Sequence, residues 1–134
     1  MSKVLTRNLS LFVLIFIFFS CGAIRPAPSE ENLHDRVDKF WKAKIEGDRE
    51  TIYRMISKSY REEVELKKFL KAPLLEVSSY SIENIELDPP EAVATVDYRF
   101  SNMGFDFDTV SKEKWVFEDG NWFLHMKPAG GMPF

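Results

Sequence analysis

The stretch Glu113-Lys114-Trp115-Val116-Phe117-Glu118-Asp119-Gly120-Asn121-Trp122-Phe123-Leu124 decides the fold. Asp-Gly between two runs of aromatic and β-branched residues signals a two-residue hairpin, because glycine accepts positive φ without penalty. It predicts strands over residues 109–118 and 121–126. Upstream, Ala94, Val96, Tyr98 and Phe100 alternate with Thr95, Asp97 and Arg99, so a further strand carries the first set on one face and the second on the other. Leu75, Val77, Ser79 and the residues up to Leu87 read as the first strand, which Asp88-Pro89-Pro90 ends. Residues 101–108, with Phe105 and Phe107, read as a loop or a bulged edge.

Before Pro73 the period is helical. Ser29 is placed to cap a helix whose first turn holds Glu30 and Glu31, both suited to the positive end of its dipole. Leu33, Val37, Phe40, Trp41 and Lys44 recur along one stripe, with the Lys44 stem able to lie over it. Gly47 stops this helix, and Asp48 caps a second with Ile52, Met55 and Ile56 as its apolar edge. A third segment, residues 62–70, offers Leu66, Phe69 and Leu70 for burial. Helices followed by an antiparallel sheet predict an α+β fold, with N-terminal helices packed on one sheet face.

At the N-terminus, Lys3 and Arg7 precede an apolar run over residues 9–19, followed by Ser20 and the sole cysteine, Cys21. The run is about eleven residues, short of the roughly twenty that span a bilayer, and reads as a secretory leader over residues 1–20. An uncleaved anchor recruiting Val4 and Leu5, or a plain leader with an incidental cysteine, are the alternatives. The segment resembles a bacterial lipoprotein leader, in which a small residue precedes a cysteine that is acylated and becomes the mature N-terminus. Phe18 stands where that family usually has Leu. The resemblance implies lipidation, palmitate included, at Cys21, export, and anchoring to the cell membrane or, with Gly22 in place of Asp, the outer membrane. Residues 21–31, with Pro26 and Pro28, read as the lipidated cysteine and its tether. Residues 32–127 form one domain of ordinary size, and residues 128–134 have the composition of a flexible tail able to fold back through Met132 and Phe134.

The formal charge of −3 includes the basic leader, so the exported part is more acidic still, which argues against nucleic acid as a partner. A lone cysteine excludes an intrachain disulfide. His34 and His125 have no neighbours at metal-ligand spacing, and no Ser-His-Asp, phosphate-loop or zinc motif occurs. No metal or cofactor is expected.

The residues Phe40-Trp41-Lys42-Ala43, Gly47-Asp48, Ile52-Tyr53-Arg54-Met55 and Ser59-Tyr60-Arg61, together with the closing hairpin, resemble the NTF2-like superfamily, in particular small bacterial lipoproteins with that fold. The resemblance spans residues 33–126 and implies a curved antiparallel sheet wrapped round a long helix to make a cone with an open mouth. Tyr53, Tyr60, Tyr98, Trp115, Trp122 and Phe123 then supply either the cone's wall or simply its core. Asp97 and Arg99 share a face that is either pocket or solvent. Enclosed, Asp97 would act as acid or base and Arg99 would hold an anion; exposed, they form a surface pair. The candidate pocket is Tyr53, Tyr60, Asp97, Arg99 and Trp115, with no catalytic residue carried over from the family.

These readings predict a cell-envelope lipoprotein with a non-catalytic binding or scaffolding role. Its expected partners are the membrane through the N-terminal lipid, a small hydrophobic or peptide ligand, and a second copy or another envelope protein. The alternative is an NTF2-like enzyme of isomerase or dehydratase type acting on a small hydrophobic substrate in the cone.

Overall fold

The computed structural model describes residues 26–128. Residues 1–25, over which the leader and the acylated Cys21 are expected, and residues 129–134 of the expected tail lie outside the described residues. Four helices, α1 (Glu30–Glu46), α2 (Arg49–Met55), α3 (Lys58–Glu63) and α4 (Leu66–Lys71), precede β1 (Glu76–Asp88), β2 (Glu91–Asn102), β3 (Phe105–Glu118) and β4 (Asn121–Leu124). The strands form one antiparallel sheet in the order β1-β2-β3-β4, and the helices cover one face of this unclosed, curved sheet. The α+β cone expected from the sequence is the observed architecture.

The predicted helix ends hold. The Ser29 side chain accepts from the Asn32 N–H, and Gly47 closes α1 in the left-handed region at φ 70°, with its N–H donated to the last carbonyls of the helix. Asp48 caps α2 by accepting from the Thr51 N–H. The third helical segment differs from expectation. It breaks at Val64-Glu65 into α3 and α4, and of Leu66, Phe69 and Leu70 only Phe69 is buried. Arg49 replaces the missing contacts: its guanidinium donates to the Phe69 carbonyl at 2.7 Å and to the Ala72 carbonyl, satisfying the C-terminal end of α4. The Ser57 N–H donates to the Leu124 carbonyl at 2.9 Å, tying the helical layer to β4.

Two departures concern the sheet. Residues 101–108 are neither loop nor bulged edge: β2 and β3 continue to Asn102 and Phe105 and meet in a tight turn at Met103-Gly104, both with positive φ. Ser79 is not on the inward set with Val77. A bulge between Val77 and Ser79, and another between Ile82 and Asn84, reset the alternation so that Val77, Tyr80, Ile82, Ile85 and Leu87 stand opposite Phe100, Tyr98, Val96, Ala94 and Ala92. Each bulge bends its strand and increases the local twist, which curls β1 over α1.

The core is filled by large aromatics. Phe40, Trp41, Trp115 and Trp122 are at most 1 % exposed. Trp115 stands opposite Ala92, whose small side chain leaves room for the indole. Burial of each such ring contributes about 4–6 kcal/mol of transfer free energy, set against its ordering entropy.

Substituting Gly47→Ala should lower the unfolding free energy by about 1 kcal/mol, read from a denaturant titration. No atom outside the immediate backbone lies within 4 Å of the added carbon, so the loss is that of forcing a Cβ into positive φ.

Candidate functional site

Charge enters the interior where the last turn of α1 meets β3. Trp41 and Lys44 lie on the same stripe of α1, and Glu113 and Trp115 are successive inward positions of β3, so packing helix on sheet brings all four together. The two indole N–H groups donate to the same Glu113 Oε2, each at 3.3 Å. The Lys44 ammonium lies 4.1 Å from the centre of the Trp41 ring, 5.2 Å from that of Phe40 and 5.9 Å from that of Tyr98. It is a cation held by ring faces, a favourable electrostatic arrangement once water is removed.

Lys44 and Glu113 are 8 % and 7 % exposed. Burial pushes the Lys44 ammonium down to about 8, partly offset by attraction to Glu113. Burial likewise raises the Glu113 carboxyl, against the stabilising effect of Lys44 and the two indole donors. A hollow of about 180 Å³ opens beside the pair, lined by Lys44, Tyr98, Ser111, Glu113, Leu124 and Met126 among others.

From this charged floor an aromatic strip runs outward along the inner face of the sheet. Trp41 packs against Tyr98 at 4.7 Å between ring centres, Tyr98 against Phe100 at 5.9 Å, and Phe100 stacks on Phe107 at 5.4 Å. The helices do not reach the outer end, where Phe107 is 47 % and Phe105 69 % exposed. There the linker after α4 faces the β2-β3 turn across a depression of about 470 Å³, bounded by Leu74, Leu75, Ser101 and Met103. The arrangement can hold an apolar or aromatic group on the strip, with an ammonium and a carboxyl at its inner end.

The five residues singled out from sequence do not converge. Tyr53 belongs to the helical layer, with its hydroxyl donating to the Val64 carbonyl at 2.7 Å and its ring against Phe69. Tyr60 is buried against the same Phe69. Asp97 and Arg99 lie on the outer face in a shallow open depression, with Arg99 bonded twice to Asp108 at 2.8 and 2.9 Å. Their solvent-facing alternative is the observed one. Trp115 is a core residue that serves the site only through its N–H. Sequence reasoning missed Glu113, although its parity with Trp115 marks an inward carboxylate, and it read Lys44 only as a stem over the stripe.

No protein-family model matches the chain, and no curated protein matches it. Solved structures share its fold at low identity. A protein assigned as an NTF2-like transpeptidase from Campylobacter jejuni aligns with TM-score 0.54 at 19 % identity, over 72 % of this chain and 99 % of that one. TsrD from Streptomyces laurentii aligns with TM-score 0.53 at 17 %, over 74 % and 87 %. A SEC-C motif protein from Rhodopseudomonas palustris aligns with TM-score 0.54 at 10 %, over 64 % and 69 %. The shared feature is the NTF2-like architecture, which hosts unrelated functions.

Glu113→Gln should destabilise the protein by about 3–5 kcal/mol, because it removes the negative charge that offsets the burial of Lys44, and combining it with Lys44→Met should recover part of that loss in a double-mutant cycle. In the wild type, unfolding free energy should rise from about pH 8 towards 10.5, where the unfolded chain still holds the Lys44 proton that the folded chain has released. Lys44→Met should flatten that rise in denaturation curves taken across the range.

Proposed function

We propose that this protein is a binding module of the cell envelope, tethered through lipid at Cys21, that takes an apolar or aromatic group of a small or peptide ligand on the inner face of its sheet. The carrying observation is the strip Tyr98-Phe100-Phe107, continuous with the core at one end and uncovered at the other. Exposed aromatics in a row on a concave surface are costly to leave in water, and they mark a surface that gains by being covered. Residues Lys44 and Glu113 at the inner end supply the polar groups that orient a ligand. The lipobox-like Ser20-Cys21 supports the tether, and the short apolar run before it supports cleavage over retention as a spanning helix.

A second reading, an enzyme of isomerase or dehydratase type acting on a small hydrophobic substrate, is favoured by the Lys44-Glu113 pair. An amine lowered to about 8 beside a raised carboxyl is suited to proton transfer near neutral pH. Turnover abolished by Glu113→Gln in a protein that still folds would establish this reading over the first.

Titration with an anilinonaphthalene sulfonate dye should show saturable fluorescence enhancement. Phe107→Ser should weaken it about ten-fold or more with the melting temperature nearly unchanged, while Arg99→Ala on the outer face should leave it intact. Equal loss for both variants would refute the strip as the site. The intact mass of protein recovered from its own membranes should correspond to a chain beginning at Cys21 with added acyl groups; an unmodified thiol or a retained leader would refute the tether.

A further inference from the structure

We propose that the free edge of β3 is a self-association site, at which a second copy of this chain adds its own β3 antiparallel about a two-fold axis through Val110. Strand β4 pairs with only Trp115–Glu118, so among the described residues β3 has no neighbouring strand from Phe105 to Lys114 on that side. The His125 N–H donates to the Lys114 carbonyl on this side at 2.8 Å, and no backbone bond of Met126, Lys127 or Pro128 follows it onto β3. By alternation, the N–H and C=O groups of Lys112, Val110 and Asp108 point to the same open edge. An uncovered edge of this length is a template for pairing unless something blocks or fills it.

The sequence along the edge selects the occupant. The outer-face positions read Asp106, Asp108, Val110, Lys112 and Lys114, all exposed; within the chain Asp106 accepts from the Ser101 hydroxyl, Asp108 pairs with Arg99 and Lys114 pairs with Glu91. This series is charge-palindromic. An antiparallel register that places Val110 opposite itself sets Asp108 against Lys112 of the second copy, and Asp106 against Lys114, on both sides of the axis. Opposite charges directly across a ladder are stabilising and like charges are not, so this register is distinguished from its neighbours. Val110, 56 % exposed, would be covered by its own symmetry mate at the centre. The intrachain ion pair of Arg99 with Asp108 at 2.8 Å is compatible, because the row then alternates in sign from Arg99 to Asp108 to the second copy's Lys112. Beyond Lys114 the edge is occupied by His125 and β4, which confines the ladder to residues 108–112 and leaves the outer ion pairs to side-chain reach. An isologous contact of this kind closes on itself as a dimer and does not propagate.

The test co-expresses two differently tagged copies of the full chain, extracts them in mild detergent and recovers them through one tag. Wild-type copies should co-purify, and less so as salt is raised. The doubles Asp106→Lys with Asp108→Lys, and Lys112→Asp with Lys114→Asp, should each lose self-recovery about ten-fold or more, and co-expressing one double with the other should restore it. Independently, Val110→Cys should cross-link under mild oxidation, since a residue opposite itself in a hydrogen-bonded pair lies about 5.5 Å away between Cα atoms, within disulfide range. Wild type, whose only cysteine is Cys21, is the control. Self-recovery retained by either double, failure of the mixed doubles to associate, or absence of the Val110→Cys cross-link would each overturn the proposal. So would association that emerges only when residues 129–134 are deleted, which would assign the edge to the chain's own C-terminal segment.

Discussion

Two buried indole N–H groups need an acceptor, and the interior of this protein is arranged round the one they share. Trp41 and Trp115 supply the largest rings at the junction of helix and sheet, and neither N–H reaches water. A buried donor left unpaired costs about 1–3 kcal/mol, so Glu113 is placed between them. A buried carboxylate in turn calls for a cation, and Lys44 completes the set from the last turn of α1. Trp41 is common to both: it turns its face to the ammonium, with Phe40 and Tyr98, and its N–H to the carboxylate, with Trp115. Hydrophobic packing and charge balance are therefore not separable here: altering Trp41 changes the environment of both ionisable groups.

That arrangement fixes where the inner end of the strip lies. The same alternation that turns Glu113 inward carries Phe107 and Phe105 to the inner face, and the register sets Phe100 directly across from Phe107, with Tyr98 two residues further along the same face of β2. Because the helical layer is made of one long and three short helices, its cover ends before the sheet does. The exposed aromatics are a consequence of strand length exceeding helix cover, and the outer face, with its serines and charges, has no comparable apolar row.

Much of the architecture was legible in the sequence because it is written locally. Ser29, Gly47, Asp48 and Asp119-Gly120 each act through their own backbone conformation or a bond a few residues away, and each does what its residue type predicts. The β2-β3 turn was hidden because Met103 takes positive φ without the residue type that announces it. The β1 bulges were hidden because they are defined by register against β2, which a single strand does not reveal. The site was less legible than the fold. Asp97 and Arg99 attract attention as chemistry-bearing residues, yet their parity opposite Ala94 and Val96 sends them outward. Glu113 looks ordinary among Lys112 and Lys114, and only its distance of two residues from Trp115 betrays an interior position.

The Arg49 guanidinium, which joins α2 to the carboxyl-terminal carbonyls of α4, has a consequence for motion. Helix α4 is only six residues long, buries Phe69 alone, and leads directly into the segment that borders the outer depression. Short helices with one buried side chain open at a fraction of the global unfolding free energy. Releasing that clamp would let α4 and the Pro73-Leu74-Leu75 segment swing away while the sheet and α1 stay intact. Opening of α4 would therefore alter the border of the outer depression, while the Trp41-Glu113-Trp115 centre is held by α1 and β3.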